Sequence, residues 1–223
     1  MNKPVQAVIF DLDGVITDTA EYHYEAWKVL AEELNIPFSR AFNEELKGVS
    51  RTDSLEKILA HGGRERDFTE AEKEALADKK NDYYLTLIQR INPADVLPGI
   101  LAFIADIKER GLKTGIASAS KNAFTVIESL GLTGQFDIIV DSKKIKQGKP
   151  HPEIFMTAAS LLHVDADACI GVEDAVAGVD AIKGAGMFAV AIGPKESFSH
   201  ADLVYGSTAE LSLDQILDCC KQA

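Results

Sequence analysis

The chain has 223 residues, 46% hydrophobic and 26% charged, with 23 Lys+Arg against 35 Asp+Glu and a net charge of -12. That length suits one large domain or two modest ones with a full core. The acidic balance opposes general attraction to nucleic acid or anionic membrane, though not a local basic pocket for a small anion.

In chain order, the elements begin with QAVIF (6–10), a short apolar run of strand type. It stops at once against Asp11-Leu12-Asp13-Gly14, with Asp18 close behind, so it does not read as a signal peptide. Residues 18–92 then carry helical segments at 19–34, 51–61 and 69–90 and no strand. The first has an amphipathic stripe of Tyr22, Ala26, Trp27, Leu30, Ala31 and Leu34. The third opens on a capping box, Thr69 with Glu72.

From residue 99 helix and strand alternate. Strands are expected at 113–118, 136–141, 168–172, 187–192 and, briefly, 203–205. Helices are expected at 99–110, 122–130, 152–163, 175–185 and 212–221, with Gly111, Gly131 and Gly186 near their ends as left-handed caps. The strands show little polar alternation, which suits a parallel sheet buried on both faces. The expected fold class is α/β: a doubly wound parallel sheet with an inserted all-helical domain. The division is 1–17 with 93–223 as the core and 18–92 as the insert, hinged at 14–18 and 92–96. No run is apolar for the roughly 20 residues of a membrane-spanning helix. Cys169, Cys219 and Cys220 form neither a disulfide framework nor a metal pattern, which favours a reducing cytoplasm.

Ligands of such sheets bind at the carboxyl ends of the strands. The first strand is followed there by Asp11 and Asp13, the second by Ser118-Ala119-Ser120-Lys121-Asn122. The third leads into a loop with Lys143, Lys144 and Lys146 that ends Lys149-Pro150, and the fourth into Glu173-Asp174. No glycine-rich dinucleotide fingerprint and no Gly-Lys-Ser/Thr loop is present. Carboxylates without Cys or His at ligand spacing select a hard cation, Mg²⁺ foremost, which relieves their mutual repulsion. Ser118 can donate to a phosphate oxygen, and Lys149, fixed by Pro150 and the following helix, can neutralise it. An Asp touching both metal and phosphate can be a nucleophile, and Asp13 can be the proton partner of the alcohol.

DLDGVITDT, SAS, KP and VED, in this order around a helical insert, resemble the haloacid dehalogenase superfamily over the whole chain. FDLDGVITDTAEYH, LKGVSR, DVLPGI, SASKN and KP-x-P-x-IF narrow the resemblance to its hexose-phosphate mutases. The resemblance implies a Rossmann-like core with a helical cap, Asp11 as nucleophile and Asp13 as general acid/base. It implies Mg²⁺ held by Asp11, the Asp13 carbonyl, Asp174 and, directly or through water, Glu173. Ser118 and Lys149 would hold the transferring phosphate; Arg51 of the cap, with Ser120, Lys121 and Asn122, would hold a second. His23, Trp27, Gly48, Val49, Lys80 and Ala119 complete the implied substrate-binding set. The implied activity converts β-D-glucose 1-phosphate to glucose 6-phosphate through an aspartyl phosphate. β-Glucose 1,6-bisphosphate would be intermediate and activator. The expected enzyme is a cytoplasmic monomer with sugar-phosphate substrates and no nucleic-acid or membrane partner. Ala175 stands where close relatives are expected to have Ser, and the loop before Lys149 is richer in lysine than expected.

The residues themselves bear on the division of roles. A phosphatase needs one phosphate site, whereas a mutase working through a bisphosphate needs two. Arg51 has the planar fork that suits phosphate, and the neighbouring Gly48 allows close approach to the backbone. A Mg²⁺-dependent sugar-phosphate or phosphoglycolate phosphatase is the alternative. A phospho-accepting signalling domain is a third possibility, opposed by the Asp-x-Asp and the helical insert.

Overall fold

A computed structural model describes residues 3–222. The first apolar run forms β1 (Ala7–Phe10), with all four residues buried. Val8 and Phe10 enter one core and Ala7 and Ile9 another, so alternate side chains serve opposite faces of the sheet. β2 (Lys113–Ile116), β3 (Ile138–Ile139), β4 (Cys169–Glu173), β5 (Phe188–Ile192) and β6 (Leu203–Tyr205) complete a six-stranded parallel sheet. Its order is β3-β2-β1-β4-β5-β6, so the strand order reverses between β1 and β4.

Four helices insert after β1: α1 (Ala20–Glu33), α2 (Arg40–Glu44), α3 (Arg51–His61) and α4 (Glu70–Ile88). Then come α5 (Ile100–Glu109), α6 (Ala123–Ser129), α7 (Glu153–Leu161), α8 (Val176–Gly184) and α9 (Leu213–Gln222). α5, α6 and α9 cover the Val8/Phe10 face; α7 and α8 cover the Ala7/Ile9 face. This is the doubly wound arrangement expected. Gly111, Gly131 and Gly186 take the left-handed conformation at their helix ends. The inserted helices have a core of their own, built from Trp27, Leu30, Leu55, Ile58 and Leu59 among others. Tyr84, Leu87 and Ile88, at the end of α4, pack instead into the Val8/Phe10 core.

Two local expectations change. The strand expected over 136–141 keeps ladder pairing only at Ile138–Ile139. Its flanking acids turn to side-chain bonds: Asp137 accepts from the Thr114 N–H at 2.7 Å, and Asp141 from the Lys143 N–H at 3.2 Å. The five-residue α2 was not expected, because one turn and a half has no periodicity to detect; Ser39 caps it by accepting from the Phe42 N–H. Lys80, named in the implied substrate-binding set although its neighbours Lys79 and Asp82 would equally suit a solvated face, is buried at 4% exposure. The two crossings between insert and sheet run side by side. Thr17 bridges Val96 antiparallel, and its hydroxyl donates to the Asp95 carbonyl at 2.8 Å. No helix of the described residues is long and apolar enough to cross a membrane.

Candidate active site

Register decides which groups meet. Phe10 lies opposite Ile116 on β2 and Val172 on β4, so these three strands end level. Asp11, Ala117-Ser118 and Glu173 therefore emerge together at the point where the strand order reverses. The Asp11 N–H donates to Val172 O at 2.9 Å, and the Ala117 N–H to Phe10 O at 2.7 Å, which fixes the edge.

Lys149 answers part of the charge problem posed by the acids. Its fully buried ammonium donates to Asp11 Oδ1 at 2.7 Å and to Glu173 Oε1 at 2.5 Å. Burial pushes the Lys149 pKa down, but Asp11 and Glu173 outweigh it and hold the group above the usual lysine range. Glu173 Oε2 accepts from the Asp174 and Ala175 N–H groups, each at 2.8 Å. Burial nevertheless raises its pKa, Lys149 opposing and Asp11 adding to the rise. Asp174 is raised well above the ordinary carboxylate range by burial, then by Glu173 and Asp11. No described side chain donates a hydrogen bond to its carboxylate.

Asp11, Glu173 and Asp174 bring carboxylate oxygens within 4.8 Å of one another. Of the three acids only Asp11 and Glu173 contact the ammonium of Lys149, and all the donors are oxygens. That excess of negative charge and that hard donor set fit Mg²⁺. Gly14 makes room for the arrangement: its φ is +74°, and a Cβ there would overlap the Asp174 carboxylate.

Asp13 does not extend β1. The chain turns after Asp11, with the Ile16 and Thr17 N–H groups both donating to Leu12 O. The Asp13 carboxylate accepts a short hydrogen bond from the Thr19 hydroxyl and lies 3.9 Å from His23 Nε2. Burial first, then Asp11, raises its pKa to about 7 against the opposing pull of Thr19, Lys149 and Lys80.

Asp11, Asp13 and Asp174 open into a cleft of about 840 Å³, mouth included, roughly the size of a small-molecule site. His23, Trp27, Gly48, Val49, Arg51 and Lys80 line it from the insert, and Ala119, Ser120, Lys121 and Asn122 from the sheet edge. Ser118, Lys149 and Glu173 are buried behind this lining, at 1%, 3% and 0% exposure. Ser118 Oγ accepts from the Ser120 N–H at 3.1 Å, and Ser120 Oγ from the Asn122 N–H at 3.2 Å, which turns the segment into α6. Lys80 lies 4.6 Å from the centre of the Trp27 ring, so Trp27 serves the insert's core and the cleft together. At Gly48 the close neighbour is protein: a Cβ would stand 3.1 Å from that of Ala175. A loop of the insert thus packs on the segment after β4, where the small Ala175 leaves space.

Several lining residues escaped sequence reasoning. Asn81 Oδ1 accepts from Arg51 Nη2 at 2.7 Å and from Asn122 Nδ2 at 2.8 Å. Lys47 and Asn43 also line the cleft, and Thr19 holds Asp13 from just behind it. Lys47 lies in LKGVSR and Thr19 in DLDGVITDT, so both motifs contained the signal; Asn81 had only its place beside Lys80.

Residues 5–186 match the haloacid dehalogenase-like hydrolase family. The chain belongs to that family. It is 50% identical over 210 residues to the β-phosphoglucomutase of Bacillus subtilis, covering 94% of this chain and 93% of the relative. A crystal structure of β-phosphoglucomutase from Clostridium difficile superposes with a TM-score of 0.96 at 48% identity, covering 98% of both chains. The phosphorylated carbohydrates phosphatase of Thermotoga maritima is more distant, at 28% identity over 222 residues, 98% of this chain and 99% of that one. Identity and coverage group the chain with the β-phosphoglucomutases of the family.

Proposed function

We propose that the protein is a β-phosphoglucomutase. It converts β-D-glucose 1-phosphate to glucose 6-phosphate through an aspartyl phosphate on Asp11 and bound β-glucose 1,6-bisphosphate. One observation carries the reading. The cleft that holds the Asp11/Asp13 pair also holds a separate set of phosphate-type donors, Arg51 from the insert and Ser120, Lys121 and Asn122 from the sheet edge. A ligand with a phosphate at each end uses both sets; a one-phosphate substrate leaves the second without a purpose.

In this reading phosphorylated Asp11 gives its phosphoryl group to the C6 hydroxyl of β-glucose 1-phosphate. Asp13 takes the hydroxyl proton as the new P–O bond forms and the bond to Asp11 breaks. The bisphosphate turns over. The Asp11 carboxylate then attacks the C1 phosphate, and Asp13 returns the proton to the departing C1 oxygen, leaving glucose 6-phosphate. Ser118 and Lys149 bind the transferring phosphate. Arg51, Ser120, Lys121 and Asn122 bind the other, with His23, Trp27, Gly48, Val49, Lys80 and Ala119 around the sugar. Mg²⁺ held by Asp11, Asp174, the Asp13 carbonyl and Glu173, directly or through water, would neutralise charge on the transferring phosphate. Residues 18–92 act as a cap over the core of 1–17 and 93–223, and closure keeps water from the aspartyl phosphate. Every group invoked comes from one chain, which supports a monomer. The acidic net charge of -12 and the cysteine pattern support a cytoplasmic enzyme without nucleic-acid or membrane partner.

The test is formation of glucose 6-phosphate from β-glucose 1-phosphate with Mg²⁺ and a trace of glucose 1,6-bisphosphate, with the α anomer as control. Turnover of the β anomer alone supports the proposal. Absence of glucose 6-phosphate from the β anomer, or equal turnover of the α anomer, refutes it.

A further inference from the structure

Asn81 joins two elements that otherwise meet only across the cleft. It sits on α4, and its single carbonyl oxygen accepts from Arg51 on α3 at 2.7 Å and from Asn122 before α6 at 2.8 Å. Both donors belong to the set assigned above to the second phosphate. We propose that Asn81 is the positioning residue of that phosphate site: its neutral carbonyl aims Arg51 and Asn122 while leaving the Arg51 charge for the anion. The proposal rests on the two-phosphate reading of the cleft.

The neutrality of the acceptor matters. The Arg51 side chain is 12% exposed, and its only ion-pair partner among the described residues is Asp78, at 3.5 Å and itself 67% exposed. A contact that long to a solvated carboxylate compensates little of the guanidinium charge. A carboxylate at position 81 would accept the same two bonds but would form a close pair with Arg51 and repel an incoming phosphate dianion. An apolar side chain would leave a guanidinium and an amide without orientation, at a cost in order on binding. An amide satisfies both requirements: it fixes direction and leaves charge. The contact also spans the inserted helices and the sheet edge, so it ties the insert to the core across the cleft.

The experiment compares Asn81→Asp and Asn81→Ala with the wild type in the full chain, at saturating Mg²⁺. Glucose 6-phosphate binding is measured by calorimetry, KM and kcat with β-glucose 1-phosphate, and Asp11 phosphorylation with acetyl phosphate. Asn81→Asp should weaken glucose 6-phosphate binding and raise KM by on the order of 100-fold, Asn81→Ala by about tenfold, from the usual worth of hydrogen bonds to a charged group. Acetyl phosphate, which has no second phosphate, should react within about twofold of wild type in both. A merely structural hydrogen bond would be restored by the aspartate. Asn81→Asp binding like wild type therefore overturns the proposal, as does an equal loss in the acetyl phosphate reaction. Asn81→Ala only deletes atoms and decides the question by itself if the aspartate variant folds poorly. A wild type that does not isomerise refutes the mutase reading, and glucose 6-phosphate affinity then decides the role of Asn81 independently.

Discussion

Lys80 Nζ lies 2.9 Å from His23 Nδ1, so one basic side chain of the cleft donates to another. Burial, then Lys80 and Arg51, pushes His23 well below its usual pKa, which makes it the neutral acceptor. Burial, then Arg51, pushes Lys80 down to about 7, with Asp13 opposing.

A pH dependence of stability follows. The unfolded chain keeps the Lys80 proton up to about pH 10.4, whereas the folded chain releases it near 7. Between those values the unfolded state binds more protons, so this group makes stability rise with pH. The cost of burying the charged lysine is fully present below about 7 and gone above about 10.4. Lys80→Met should therefore be more stable than wild type at pH 6, and the gap should narrow between pH 7 and 10. Urea denaturation across that range checks it; a constant gap contradicts it.

Asp13 is held by the Thr19 hydroxyl and faces the cleft beside Asp11. Asp13→Asn should lower mutase turnover by on the order of 10²–10⁴-fold, the worth of a general acid/base. Asp11 should still accept phosphate from acetyl phosphate, whose leaving group needs little protonation. Near wild-type mutase turnover in the variant would remove the assignment.

On the proposed reading Arg51 contributes only where a second phosphate is present. Arg51→Ala should depress β-glucose 1-phosphate isomerisation strongly and leave Asp11 phosphorylation by acetyl phosphate nearly unchanged. Both rates are measured on the same preparation. Equal losses would indicate general damage to the site, and no loss in either would remove Arg51 from the second-phosphate set.

Asp11, Glu173 and Asp174 crowd three carboxylates together, and the Lys149 ammonium contacts only the first two. A divalent cation that binds only the folded chain stabilises it. Adding Mg²⁺ to chelator-treated protein should raise the thermal midpoint and restore turnover together. Full turnover in excess chelator, with an unchanged midpoint, would exclude the metal role.

The strand-end chemistry was legible because β1 is a buried apolar run that stops against acids, a contradiction only a site resolves. Alternation of helix and strand then put Ser118, Lys149 and Glu173 on the same edge. The resemblance already grouped Arg51 with Asn122, but the Asn81 carbonyl that joins them was not legible. Its contacts join residues 30 and 41 positions apart across two helix ends, and no local pattern encodes that distance. Lys80, named for the cleft by the resemblance, could equally have been a solvated lysine from its local sequence. Its sequence neighbours are charged, but α4 turns it toward Trp27, Tyr84 and His23, so burial was set by tertiary packing rather than by charge pattern.

The central claim is that phosphate moves between two ends of one sugar and is not released. The most direct measurement is the ratio of glucose 6-phosphate formed to inorganic phosphate freed over many turnovers of β-glucose 1-phosphate, with Mg²⁺ and a trace of glucose 1,6-bisphosphate. A mutase with a closed, water-excluding cleft gives glucose 6-phosphate in large excess and almost no inorganic phosphate. Inorganic phosphate released in step with the disappearance of substrate, without glucose 6-phosphate, would contradict the account and make the protein a phosphatase.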